Sequence, residues 1–152
     1  MAAAPQIWVL DNFLTAEEVA EYRGVVDSYR RQRAHPIYED KKGIVSQFWE
    51  RFGARLRDEC GVQRLTNYVT VSRSSKALEW HYDHSKDGDT HKVLVYLDDV
   101  AGTLFRVDGG VRAVEARPGR VVVFDFRLEH AGDTIPPERG EKYTLGFRAC
   151  RG

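Results

Sequence analysis

LEWHYDHSKDGDTHKVLVYLDD, residues 78–99, is the stretch on which the fold turns. Residues 78–83 read as one strand and 92–98 as another, separated by the polar turn SKDGDT (85–90). Alternate residues of a strand project from the same face. His81 and Asp83 therefore point together, with Tyr82 on the other side.

Outward from this stretch the texture stays β-rich. Downstream, strands are expected at 103–107, 111–116, 120–126 and 141–148. Asp108-Gly109-Gly110 marks a hairpin turn, Pro118-Gly119 a break, and 131–140 a Pro/Gly loop. Upstream, 65–72 alternates as a strand and 73–77 is a polar loop. Before Gly61 the period changes to helical. A helix over 44–59 places Val45, Phe48, Trp49, Phe52 and Leu56 on one face. Residues 33–43 read as a loop. An earlier helix starts at Thr15, whose capping box closes with Glu18, and buries Val19, Tyr22, Val26 and Tyr29. Residues 6–13 form a first short strand.

Two helices followed by about eight short strands predict an α+β fold with a β-sandwich or barrel core and both helices packed on one sheet. With 152 residues the expectation is one domain, comprising a helical N-terminal segment at 1–60 and a β core at 61–150. Hydrophobic residues are 42% and charged residues 30%, the balance of an ordinary globular chain. Lys plus Arg equal Asp plus Glu at 23 each, so overall charge supplies no argument for nucleic acid or an anionic membrane. No apolar run reaches the roughly 20 residues of a membrane span, and the first residues lack the pattern of a signal peptide. Cys60 and Cys150 match no metal or redox spacing and read as reduced thiols. Together these features give the expectation of a cytoplasmic protein, monomer or homodimer.

The chemistry-bearing pattern is His81-x-Asp83 with His130 far downstream, just after the apolar run Val121-Val122-Val123-Phe124, where a buried strand would deliver it to the mouth of a barrel. Two histidines and a carboxylate in this order are the ligand set of a facial triad, which holds iron(II) and leaves positions open for oxygen and a co-substrate. A zinc hydrolase uses the same ligand types. On the last strand, Lys142, Thr144, Gly146 and Arg148 share one face, and Tyr143, Leu145 and Phe147 the other. The second face suits a packed layer. The first, with two cations and a glycine, suits a cavity that holds an anion by charge-assisted hydrogen bonds, or else a solvated edge. Arg139 is a rival to Lys142 as the anion partner.

From Tyr68 to Phe147 the chain resembles the prolyl-hydroxylase-like branch of the iron(II)/2-oxoglutarate oxygenases. The similar segments are HYD (81–83), GDTHKVLVYLDD (88–99), AGTLFRV (101–107), PGRVVVFDFRLEHAG (118–132) and GEKYTLGF (140–147), preceded by WVLDNFLTAEEV (8–19). The resemblance implies a double-stranded β-helix, or jelly-roll, core. It implies iron on His81, Asp83 and His130, with 2-oxoglutarate and O2 as co-substrates. The distal carboxylate of 2-oxoglutarate would meet Lys142, with Tyr96, Tyr68 and Arg148 as further contacts. Tyr96 reads equally as a core aromatic. The implied reaction is hydroxylation of an unactivated C–H bond, in a prolyl residue or a free amino acid, with release of succinate and CO2. The retained Asp83 argues for hydroxylation over halogenation, which needs that position small. Two other readings stay open. KYTLGFR (142–148) loosely resembles the last-strand motif of nucleic-acid demethylases, with Thr144 where they have asparagine, and the core also fits a non-catalytic jelly-roll binding module. A lid over the site must come from 33–43, from 73–79 or from a second subunit.

Overall fold

A computed structural model describes residues 5–29, the backbone of 35–37, and residues 43–151. Strand β1 (Ile7–Leu10) leads into helix α1 (Ala16–Asp27), β2 (His35–Ile37) and helix α2 (Ile44–Cys60). Strands β3 (Val62–Ser74), β4 (His91–Tyr96), β5 (Thr103–Val107), β6 (Gly110–Val114), β7 (Val121–Asp125), β8 (His130–Gly132) and β9 (Lys142–Arg151) follow. They form a six-stranded sheet in the order β1-β7-β4-β9-β3-β2 and a three-stranded sheet in the order β6-β5-β8, with every pairing antiparallel.

The helices cover one face of the large sheet, as their apolar stripes require. Thr15 caps α1 through the Glu18 amide, and the Glu18 carboxylate returns to the Thr15 amide at 2.8 Å. Val19, Tyr22 and Val26 of α1 are buried, as are Phe48, Phe52 and Leu56 of α2. Phe48 meets Phe147 of β9 edge-on, ring centroids 4.4 Å apart. Strand β7 lies between β1 and β4 and is buried along its length. Both its faces are covered, which explains a continuous apolar run where a half-buried strand would alternate. Val121 and Val123 join the helix-side core, while Val122 and Phe124 join a second core between the sheets with Tyr96, Phe105, Val114 and Leu128.

Two turns follow from local chemistry. Asp108 (φ 49°) and Gly109 (φ 75°) make the two-residue hairpin between β5 and β6, the left-handed pair such a loop needs. Gly119 sits at φ 84°, where a Cβ would stand 2.5 Å from the Leu14 carbonyl oxygen; the Gly119 carbonyl accepts from the Phe13 and Leu14 amides.

Three expectations change. Residues 78–83 are not a strand: His81 alone pairs, in an isolated bridge with His130. Beyond that bridge the Leu78 carbonyl accepts from the Gly132 amide at 2.9 Å, while Leu78, Glu79 and Tyr82 stand exposed, so no continuous ladder forms. His130 is not carried by the apolar strand itself; β7 ends at Asp125 and the chain turns before β8 presents the histidine from the small sheet. Of the loop expected at 33–43, His35–Ile37 is an edge strand paired to Val69–Val71 of β3, and most of the rest lies outside the described residues. Among the described residues, no helix is long and apolar enough to cross a membrane.

Candidate metal centre and cavity

His81, Asp83 and His130 converge from two directions. The His81 amide donates to the His130 carbonyl at 2.9 Å, and the His130 amide returns the bond at 3.0 Å. This backbone pair brings the two imidazoles together, ring centroids 4.2 Å apart. Each ring is then fixed by its own Nδ1, which lies 2.7 Å from the Glu79 carbonyl oxygen in His81 and 3.1 Å from that of Leu128 in His130. A carbonyl only accepts, so both Nδ1 atoms carry the proton and both Nε2 atoms present lone pairs. Phe124 packs edge-on against His130, which is 6% exposed.

Asp83 completes the cluster. One ligand atom from each of the three residues lies within 4.8 Å of the others. Asp83 Oδ2 is 3.4 Å from His130 Nε2, yet that nitrogen offers it a lone pair in place of a proton. Oδ2 is accordingly buried with no hydrogen-bond donor. Burial by itself would raise the Asp83 pKa; the positive charge around it, of which the Lys92 ammonium is the part independent of the histidine tautomers, outweighs burial and holds the carboxyl well below the usual carboxylate range. An ionised carboxylate with an unsatisfied oxygen beside two imidazole lone pairs is a donor set awaiting a divalent cation. The residues present therefore fit such an ion. Their carbonyl-bound Nδ1 atoms are the outer-sphere support that orients histidine ligands.

A cavity of about 120 Å³ opens beside this cluster, between the sheets. His81, His130 and Phe124 form one side. Thr70, Ser72 and Ser74 of β3 line another, and Lys142, Thr144 and Gly146 of β9 a third. Lys92 and Leu94 of β4 and Thr103 of β5 complete the interior. Lys76, Ala77 and Leu78 stand at the mouth, within 73–79, one of the three sources open for a lid.

Lys142 donates to the Gly102 carbonyl at 3.1 Å. Burial pushes its pKa down to about 8, against the pull of Asp98 and Asp133. The other sequence-derived candidates do not line the cavity. Tyr96 is fully buried in the core between the sheets, its hydroxyl 2.6 Å from Thr103 Oγ1, and burial pushes its pKa up to about 12. Arg148 turns to the Asp89 carboxylate and the His84 carbonyl, closing the loop that follows Asp83. It also lies over the Phe126 ring, and Tyr68 lies nearby, 5.9 Å from its guanidinium. Arg139 pairs with Asp99 on the surface.

Lys92 escaped the sequence reading. It shares the inward face of β4 with Leu94, and a cation in the middle of an inward row was the available signal. Facing the cavity leaves the residue only half-buried, but its ammonium is deep. Burial lowers its pKa and the Asp83 charge raises it.

No protein-family model and no curated protein matches the sequence. Solved structures do. A prolyl-4-hydroxylase from Pseudomonas putida superposes with a TM-score of 0.67 at 17% identity, covering 96% of this chain and 93% of that one. HygX from Streptomyces hygroscopicus, solved with nickel and 2-oxoglutarate bound, gives 0.72 at 15% identity, over 95% and 82%. A Trichoplax adhaerens prolyl hydroxylase in complex with a hypoxia-inducible-factor peptide fragment gives 0.65 at 18% identity, over 95% and 83%. The chain therefore has the fold of the prolyl-hydroxylase-like 2OG-Fe(II) oxygenases, a double-stranded β-helix with two helices against its larger sheet.

Proposed function

We propose that this chain is an iron(II)- and 2-oxoglutarate-dependent oxygenase that hydroxylates a C–H bond of a prolyl residue or a free amino acid. The observation that carries the reading is the donor-less, ionised Asp83 Oδ2 facing two imidazole lone pairs at the wall of a lysine-bearing cavity. The fold supports it, since nickel and 2-oxoglutarate occupy HygX.

In this reading His81, Asp83 and His130 hold the metal on one face. Bound iron(II) supplies oxygen activation coupled to oxidative decarboxylation of 2-oxoglutarate to succinate and CO2. Lys142 receives the distal carboxylate of 2-oxoglutarate, exchanging its bond to the Gly102 carbonyl for a charge-assisted one. Thr103, Thr144 and the hydroxyls of β3 are placed to hydrogen-bond the same anion. Tyr96 contributes by holding the Thr103 hydroxyl, a positioning role in place of the direct contact expected of it. Phe124 and Leu94 keep water from the metal side of the cavity. The arrangement of Lys76–Leu78 at the mouth suits an entrance for the substrate.

The test is anaerobic titration of metal-free protein with iron(II) and then 2-oxoglutarate, followed by the visible charge-transfer absorption of the chelate. The band should be lost in His130→Ala and weakened in Lys142→Met. Folded, iron-loaded protein that shows no band with 2-oxoglutarate would overturn the reading.

A further inference from the structure

Besides the exposed Lys76 at the mouth, two lysines face the interior of the cavity, at different places along it. Lys142 and Gly146 are four residues apart on β9, about 13 Å of strand. Lys92 lies against Gly146: a Cβ there would stand 2.7 Å from Lys92 Cε and 3.0 Å from its Nζ. Lys142 is within the influence of Asp98 and Asp133, away from the metal ligands, whereas the carboxylate nearest in influence to Lys92 is Asp83. The glycine is what lets the lysine stem cross β9 toward Thr70, whose Cβ is 3.6 Å from the same point.

Lys142 has the Gly102 carbonyl to satisfy it. Among the described residues, no group hydrogen-bonds Lys92 Nζ and no carboxylate lies within 4.0 Å of it. A cation turned into an enclosed space without a partner costs free energy unless an anion meets it. The charges of the proposed reaction give that anion an identity. The two positive charges of iron(II) and the one of Lys142 are matched by Asp83 and the two carboxylates of 2-oxoglutarate. Lys92 leaves one positive charge over.

We propose that Lys92 receives a carboxylate of the substrate itself. The substrate is then a small molecule with a free carboxylate, an amino acid or related acid, and not a residue inside a peptide chain. The proposal rests on the oxygenase reading and deepens it. Gly146 and Lys92 form one device, the glycine holding open the space in which the ammonium waits.

The experiment uses zinc-loaded protein saturated with 2-oxoglutarate, which binds without turning over. It is titrated calorimetrically with common L-amino acids, L-proline among them, with their carboxamides, and with an end-blocked proline peptide. At least one free acid should bind roughly 10-fold or more tightly than its amide. That preference should vanish in Lys92→Met and in Gly146→Ala, which displaces the ammonium without removing it, while 2-oxoglutarate affinity stays within about threefold. Thermal melts verify that both variants are folded. The proposal is overturned if acid and amide bind alike, if no free acid binds, if the blocked peptide binds as well as the acid, or if Lys92→Met loses 2-oxoglutarate instead. Failure of the wild type to bind 2-oxoglutarate at all overturns the oxygenase reading, and this proposal with it.

Discussion

The two faces of β9 are made by the same ten residues and have opposite tasks. Tyr143, Leu145 and Phe147 are pressed into the core under the helices. Lys142, Thr144 and Gly146 line a cavity. One face lowers the free energy of the fold by burial and aromatic packing. The other raises it, by keeping a void open and a lysine partly desolvated. The difference teaches that the site is supported from behind: its strand is anchored so firmly on the helix side that the cavity side is free to be suboptimal.

Substitutions on the two faces should therefore separate stability from binding. The largest effect belongs to the cluster the cavity serves. His130→Ala removes one of three ligands and should abolish iron-dependent absorption and turnover while the far-ultraviolet circular dichroism keeps its native form. Next comes the packed face. Phe147→Ala should destabilise the protein by about 3–5 kcal/mol in urea unfolding, and a loss under about 1 kcal/mol would show that β9 is not the anchor described. On the cavity face, Lys142→Met should weaken 2-oxoglutarate binding by roughly 10- to 100-fold. The same variant should raise the melting temperature of the ligand-free protein at neutral pH, since it removes a buried charge. If Lys142→Met lowered both, the division between the faces would fail.

The pH dependence sharpens the same point. The Lys142 pKa is depressed to about 8 in the fold, so the unfolded chain holds its proton to higher pH than the native state does. Its penalty to stability is full below about 8 and is relieved as pH rises from there toward the ordinary lysine value. Binding of 2-oxoglutarate needs the charged form and should run the other way, weakening above about pH 8. Stability that falls, or affinity that is flat, across that window would contradict the assignment. The smallest expected effect lies far from both faces: Thr15→Ala removes the α1 cap, costs about 1 kcal/mol, and leaves metal and 2-oxoglutarate binding unchanged.

Much of this was legible in the sequence because its signals are local. The α1 cap, the Asp108-Gly109 hairpin and the alternation of β9 each rest on residues a few positions apart, and the structure reproduces them. Strands β4, β5, β6, β7 and β9 followed from short apolar runs between turn residues, whereas β8 falls where a loop was read. What was not legible depends on pairing over distance. Nothing local says that 78–83 would pair only at His81, or that His130 would sit on a separate strand after β7. Arg148 shares the inward face of β9 by parity, but Asp89 captures it, and only the folded loop after Asp83 reveals that partner. Lys92 could have been read, as a charge in an inward row; its register opposite Arg148 and its seat on Gly146 could not.

The reciprocal backbone bonds between His81 and His130 have one more consequence. The two amides that knit the ligands together can release their hydrogens to solvent only when the ligands part. Their exchange rates in deuterated water are thus a gauge of how often the centre opens in protein stripped of metal. A bound ion, which holds both residues at once, should slow these two hydrogens together and leave those of the helices on their former clock.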